Sequence, residues 1–326
     1  MKKLRSLALA GLFGLFAARS GATTITENFS TDPLQNGWRI FGDTNLFQWN
    51  STDQNLAVTW NSTNQNSYFY HPLGCLLTTN DDFSLSFDLQ LDDVQTDGFG
   101  TEIAVSLFNL ADATRANFDR VSGADAVIGP RNIVEFDYFP GSGEETISPT
   151  MISGDDTGYD QWASGFFYPD ALTSGVTFHI ALTYTATNQS LATVITYGDD
   201  QPWTPIPSVP LTAAFKGFKL DTVAVSSYDG NSDPYDSTLA QGVVSHLTVT
   251  FPTLPVQNLT GGFSNGNWQA QFISLTNWVY TLQRTSDFQS WTDVSAPTAG
   301  NGTNLFLSDT NPPTDQAFYR VLAQHP

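Results

Sequence analysis

The sequence predicts an all-β protein: a two-sheet antiparallel sandwich followed by a small β-sandwich domain. Three observations carry this. Apolar and polar residues alternate with period two along most of the chain. Gly, Asn, Asp and Pro punctuate those runs at short intervals, as strand turns require. Helical periodicity is nearly absent, and only residues 111–120 offer a turn or two of helix. Many short strands over more than 200 residues make two packed sheets the natural solution.

The elements follow in order. A first strand is expected at residues 25–29, with turn chemistry at Asp32-Pro33 and Asn36-Gly37. Residues 38–41 and 46–49 flank a Gly42-Asp43 turn, and Leu56, Val58 and Trp60 alternate over 55–60. Residues 67–70 precede His71-Pro72, where proline ends a strand or confines it to an edge. The clearest strand is 83–91: Phe83, Leu85, Phe87, Leu89 and Leu91 alternate with Ser84, Ser86, Asp88 and Gln90. Further strands are predicted at 102–110, 147–152, 178–184, 191–197, 215–225 and 243–251. Residues 252–258 read as a proline-punctuated linker. Beyond it, 259–326 carries strands at 268–273, 278–284, 305–307 and 318–322, with three tryptophans, enough for its own small core.

One strand carries candidate chemistry. In residues 132–140, Val134, Phe136 and Tyr138 point one way, and Ile133, Glu135, Asp137 and Phe139 the other. Two carboxylates two residues apart project in parallel from one strand face. Such a pair can hold a metal ion, bind a sugar or perform acid/base chemistry. It can equally be two solvated acids on an open sheet face.

Composition narrows the ligand classes. Lys2, Lys3 and Arg5 precede an apolar run at 7–18 that is too short to span a bilayer, and Ser20-Gly21-Ala22 supplies small residues where a signal peptidase cuts. Residues 1–22 are therefore expected to be a signal peptide cleaved after Ala22, leaving an exported protein, secreted or at the cell surface. Eight basic residues then remain against 32 acids, a net charge of about −24. A nucleic-acid partner needs a basic footprint, and none exists. No later stretch is long and apolar enough to span a membrane. Cys75 is the only cysteine, which excludes an internal disulfide, and its apolar neighbours Leu73, Leu76 and Leu77 favour an inert packed thiol. The four histidines make no zinc spacing.

Three stretches of residues 23–251 resemble the concanavalin A-like lectin/glucanase superfamily. Thr96-Asp97-Gly98-Phe99-Gly100 running into Ile103-Ala104-Val105 is similar to the Asp-Gly loop of legume-type lectins. Val134-Glu135-Phe136-Asp137 resembles their metal-binding strand. Phe178-His179-Ile180-Ala181-Leu182-Thr183-Tyr184, with Asn188 and residues 191–197, resembles a hairpin shared with laminin-G-like domains. The resemblance implies a jelly roll, with Asp97 meeting sugar hydroxyls. It implies Glu135 and Asp137 as transition-metal carboxylates, with Asp137 bridging to calcium as a candidate cofactor ion. Gly141 replaces the asparagine that supplies a calcium oxygen in that family, and Thr150-Met151-Ile152 stand where its histidine would follow. The implied metal site is therefore incomplete. A laminarinase-like reading would make Glu135 the nucleophile and Asp137 the orienting acid, but Phe139 and Pro140 occupy both positions for the general acid. Without an acid about 5–5.5 Å from the nucleophile, double displacement lacks its first step. Glu144, Glu145 or Asp155 could reach in from a loop, and nothing selects among them. The C-terminal stretches Trp278-Val279-Tyr280, Trp291-Thr292-Asp293-Val294 and Phe318-Tyr319-Arg320-Val321 resemble immunoglobulin- or fibronectin-like repeats of exported bacterial surface proteins. Such modules attach their neighbour to a cell surface or to other proteins.

Two other acidic clusters read as polar turns or as ligand sites. Asp229, Asn231 and Asp233 have the spacing of a calcium loop, but Pro234 and Ala240 stand where an EF-hand needs glycine and glutamate. Asp155, Asp156 and Asp160 near Trp162 could form one wall of a glycan site, a ring face meeting sugar C–H bonds. The expectation is an exported carbohydrate-binding or surface-recognition protein without catalysis. Asp97, Glu135, Asp137 and Trp162 are its candidate ligand residues and a glycan or polysaccharide its partner. The alternatives are a glycoside hydrolase or lyase on the same fold, and a structural or adhesion protein with no small ligand.

Overall fold

The computed structural model describes residues 22–97, 101–116, 118–120, 129–141, 145–154, 162–167, 171–230, 237–276 and 278–324. The expected signal peptide lies outside the described residues up to Gly21, and Ala22 already belongs to the first strand. The chain divides into two compact units at Pro252/Thr253.

The first unit contains β1 (Ala22–Glu27), β2 (Arg39–Phe41), β3 (Phe47–Asn50), β4 (Asn55–Asn61), β5 (Ser67–Thr78), β6 (Phe83–Asp97) and β7 (Ile103–Phe108). Among the described residues, the stretch with helical potential forms one turn of helix, α1 (Leu110–Ala113). There follow β8 (Ile133–Phe139), β9 (Thr146–Ile152), β10 (Trp162–Ser164), β11 (Thr177–Thr185), β12 (Ser190–Tyr197), β13 (Val209–Pro210), β14 (Lys219–Ser227) and β15 (Ser237–Pro252). Among the described residues these make two antiparallel sheets. One runs β13-β12-β11-β6-β15-β4-β3, with β1 also on β15, and the other runs β10-β9-β8-β7-β14-β5-β2.

The alternation seen in the sequence sets which faces meet. Phe83, Leu85, Phe87, Leu89 and Leu91 are all buried while the residues between them are half-buried. Phe87 meets Phe136 of β8 edge-on across the sandwich, ring centroids 5.8 Å apart. The Val134, Phe136 and Tyr138 face of β8 therefore builds the core, as its pattern predicts. The opposite face differs from the open, solvated surface that two acids there would suggest. Ile133 through Tyr138 are buried on both faces, because Ala113, Phe118 and Arg120 lie over the outer face of this sheet. Ala113 and Phe118 pack there on Tyr68, Ala104, Phe108, Ile133, Ile152 and Ala224.

One further strand is longer than expected. β5 continues through Pro72 to Thr78 instead of ending. Its outer neighbour β2 pairs only with Tyr68, Phe69 and Tyr70, so Pro72 sits where one side of the strand is an edge and no ladder bond is lost. Leu73 to Leu76 then bulge out opposite Asp221. This leaves Cys75 half-buried rather than in the core, with burial, then Asp81 and Asp221, pushing its thiol up to about 12.

The second unit contains β16 (Val256–Ser264), β17 (Asn267–Ser274), β18 (Val279–Thr285), β19 (Thr292–Asp293), β20 (Thr298–Ala299), β21 (Asn304–Asp309) and β22 (Phe318–Gln324). β16 starts inside the stretch read as a linker. The strands form a β16-β17-β21 sheet and a second sheet in which β19, β20 and β22 all pair with β18. Ala270, Phe272, Tyr280, Leu282, Leu305 and Leu307 make its own core, and Trp268 stacks on Tyr319 at 3.8 Å.

Candidate functional site

The Glu135 and Asp137 carboxylates do not face solvent: both are 0% exposed. Over them lies Arg120, 4% exposed, a residue that no sequence pattern singles out. Arg120 Nε donates to Glu135 Oε1 at 2.6 Å, and Nη2 lies 2.5 Å from the same oxygen and 3.0 Å from Asp137 Oδ2. Glu102, just before β7, brings Oε1 to 3.3 Å from Arg120 Nε. Tyr228, just after β14, donates its hydroxyl to Glu135 Oε2 at 2.9 Å. The guanidinium carbon stands 5.0 Å from the Trp162 ring centre and 5.9 Å from that of Tyr228, so aromatic faces border the ion cluster.

Local structure explains how a loop arginine reaches this point. Asn109 caps α1 by accepting from Asp112 N–H at 3.2 Å. Asn132, in a left-handed conformation at φ 53°, binds Asp112 Oδ2 through its amide at 2.6 Å and accepts from Lys219 N–H at 2.8 Å. That ties α1 to the start of β8 and to β14. Downstream, Phe118 is buried and its carbonyl accepts from Asn66 Nδ2 at 2.9 Å. Two residues later Arg120 is delivered over β8.

The electrostatics are those of a closed, buried cluster. Burial alone would lower the pKa of Arg120, but Glu135, Glu102 and Asp137 together hold it well above the ordinary value, so it stays charged. Burial pushes the Asp137 carboxyl well above the usual range, and the charge of Glu135 pushes the same way while Arg120 opposes. Burial likewise raises Glu135, against the pull of Arg120 and the Tyr228 hydroxyl. Tyr228 and Tyr68 are raised by burial and then by Glu135. Both Glu135 oxygens are already hydrogen-bonded, and neither carboxylate meets solvent. As they stand, these two groups cannot reach a glycosidic oxygen.

The metal implied by the family resemblance does not fit here. A divalent ion binds carboxylate oxygens at about 2.0–2.6 Å, the space that Nε and Nη2 of Arg120 already fill. Among the described residues, no group of three or more His, Cys, Asp or Glu side chains is arranged to hold a metal ion.

The remaining candidates separate. Trp162, half-buried on β10, joins Glu135 and Asp137 through Arg120. Asp97 does not: it is exposed at the end of β6, in the other sheet, opposite Ser237. Asp229 donates its backbone N–H to Asn66 Oδ1 at 2.9 Å. Asn231 and Asp233 lie outside the described residues, as do Gly98 to Gly100, Glu144, Asp155, Asp156 and Asp160. Glu145 is described and half-buried just ahead of β9.

A second group lies on the outer face of the β6-β11-β15 sheet. Asp88 sits directly opposite His179 and binds its Nδ1 through Oδ1. Its Oδ2 lies 2.7 Å from Nδ1 of His246. His246 reaches it from a bulge in β15, at φ 48°. Beside His179 an open depression of about 750 Å³ is lined by Gly175, Thr177, Tyr197, Asp199 and Gln201 among others. Tyr197 is 36% exposed there, its ring 5.4 Å from buried Phe178. The half-exposed His179 is legible in the strand alternation; its Asp88 and His246 partners are brought in by pairing alone.

No family model and no curated protein matches the chain. Solved structures similar to it include legume lectins. Peanut lectin is 13% identical, with TM-score 0.42, covering 72% of this chain and 99% of that one. A seed lectin of Lotus tetragonolobus is 15% identical, with TM-score 0.43, covering 72% and 100%. Arcelin-5, described as a lectin-like defence protein from Phaseolus vulgaris, is 11% identical, with TM-score 0.44, covering 72% and 100%.

Proposed function

We propose that this is an exported protein that recognises a glycan or polysaccharide and does not cleave it, with the C-terminal β module serving attachment or spacing. The observation that carries the reading is the depression beside His179. It places the Tyr197 ring among Thr177, His179, Asp199 and Gln201 in a cleft open to solvent. A sugar has apolar C–H faces and a rim of hydroxyls, so a ring face together with the Gln201 amide and the Asp199 carboxylate matches both. The closed state of the Arg120 cluster argues against hydrolysis by Glu135 and Asp137.

A glycan array followed by titration calorimetry tests this. Saturable binding to at least one neutral glycan is expected, with no release of reducing ends. Tyr197→Ala should weaken binding about tenfold or more, the loss of one aromatic anchor worth at least about 1.4 kcal/mol, without moving the melting midpoint by more than a few degrees. A silent array would favour a second reading, a surface or adhesion protein with no small ligand. That reading draws support from the cover of Ala113, Phe118 and Arg120 over the outer face of the β8 sheet.

A further inference from the structure

We propose that the Arg120 guanidinium is the resident cation of the β8 sheet face, closing the Glu102, Glu135 and Asp137 carboxylates from within the chain so that no divalent ion is taken up there. Three features of the site point to a guanidinium rather than an ion. The first is position: Nη2 lies 2.5 Å from Glu135 Oε1 and 3.0 Å from Asp137 Oδ2, between the two carboxylates. A metal ion bridging those oxygens would coincide with the guanidinium.

The second is the surroundings. A divalent ion completes its shell with six or more oxygens or with water, whereas here the rings of Trp162 and Tyr228 stand 5.0 and 5.9 Å from the guanidinium carbon. Aromatic faces offer a metal ion no ligand atom. They suit a planar, weakly hydrated guanidinium, which stacks on rings and directs its N–H groups in the plane.

The third is attachment. The guanidinium is held through Phe118, buried on Tyr228 and bonded at its carbonyl by Asn66, and through α1, fixed by Asn132. This cation is part of the chain and no chelator can remove it. It also has a mechanical consequence. Where a free ion would only neutralise the carboxylates, Arg120 also fastens Phe118 and α1 over the sheet, so charge compensation and closure of that face are one event.

The test uses the full-length protein. After exhaustive dialysis against EDTA, elemental analysis is expected to find no stoichiometric metal, and the melting midpoint should not move when millimolar Ca²⁺ or Mn²⁺ is added. Near one equivalent of retained metal would overturn the proposal, as would a midpoint that rises with either ion in the wild type and not in Glu135→Gln. Two variants separate charge from packing. If the cation matters, midpoints fall in the order wild type, Arg120→Lys, Arg120→Met, because methionine leaves the carboxylates without a counter-charge. If Arg120 only fills space, the apolar methionine equals or exceeds lysine, and that order would also overturn it. Should Arg120→Met not fold while Arg120→Lys does, the order stands as expected; should neither fold, the wild-type metal content and titration still decide.

Discussion

The Glu102, Glu135 and Asp137 carboxyls share one guanidinium in a space where none is more than 3% exposed. Uncompensated charge in such a place is costly enough that a group takes up a proton instead. Burial and the charge of Glu135 push Asp137 well toward its protonated form. It has one guanidinium nitrogen at 3.0 Å, whereas Glu135 takes Nε, Nη2 and the Tyr228 hydroxyl. Two isosteric changes should therefore behave differently at neutral pH. Asp137→Asn mimics a protonated acid and should cost at most about 1 kcal/mol. Glu135→Gln removes the paired charge from a buried arginine and should cost about 3–5 kcal/mol. Urea denaturation of the two variants measures this, and equal losses would contradict the proton assignment. The acid pair was legible in the sequence because strand alternation placed Glu135 and Asp137 on one face. Its partner was not. Arg120 comes from a loop 15 residues away, in no repeat or spacing, and only the packing of Phe118 and Asn132 determines where it lands.

At the scale of the element, strand existence was well marked and strand length was not. β6 is predicted to stop near Leu91 and runs to Asp97. A register shift where Leu91 and Asp93 meet Gly242 and Gln241 lets the pairing with β15 continue past the end of the alternation. Bulges of this kind insert one residue and leave no compositional trace. The same continuation carries Asp97 to the end of a sheet strand, away from the β8 carboxylates. Gly242 is what permits the bulge. A Cβ there would stand 2.2 Å from the Gln90 carbonyl oxygen and 3.1 Å from Leu91 Cα, both backbone atoms that cannot swing aside. Gly242→Ala should therefore cost about 1–3 kcal/mol as an overpacking change. Hydrogen exchange should show the loss concentrated at the amides of β6 and β15, while the second unit keeps its protection.

For the molecule as a whole, three independent terms set the direction of its pH dependence. Glu135 and Asp137 have folded-state values above their ordinary ones. The native state thus keeps protons that the unfolded chain releases, and stability falls as pH rises from about 4 through the folded values. His179 is raised through its hydrogen bond to Asp88, against the effect of burial, with the charge of Asp88, the Gly198 carbonyl and Asp200 adding to it. Its contribution is complete below the ordinary histidine value of about 6.5 and is lost as pH rises through its folded value. The third term is global. The full chain carries a net charge of −20 at pH 7 and an isoelectric point near 4.1, so self-repulsion grows as pH rises. All three act in the same sense. Between about pH 5 and 8, a range in which many proteins are near their optimum, the melting midpoint should decline steadily. Asp88→Asn should remove the part of that decline lying above about pH 6.5, and Asp137→Asn the part that begins nearer 4. A flat profile, or a midpoint that climbs toward pH 8, would show that the buried carboxylates are ionised throughout and that the Arg120 cluster carries its excess negative charge unprotonated.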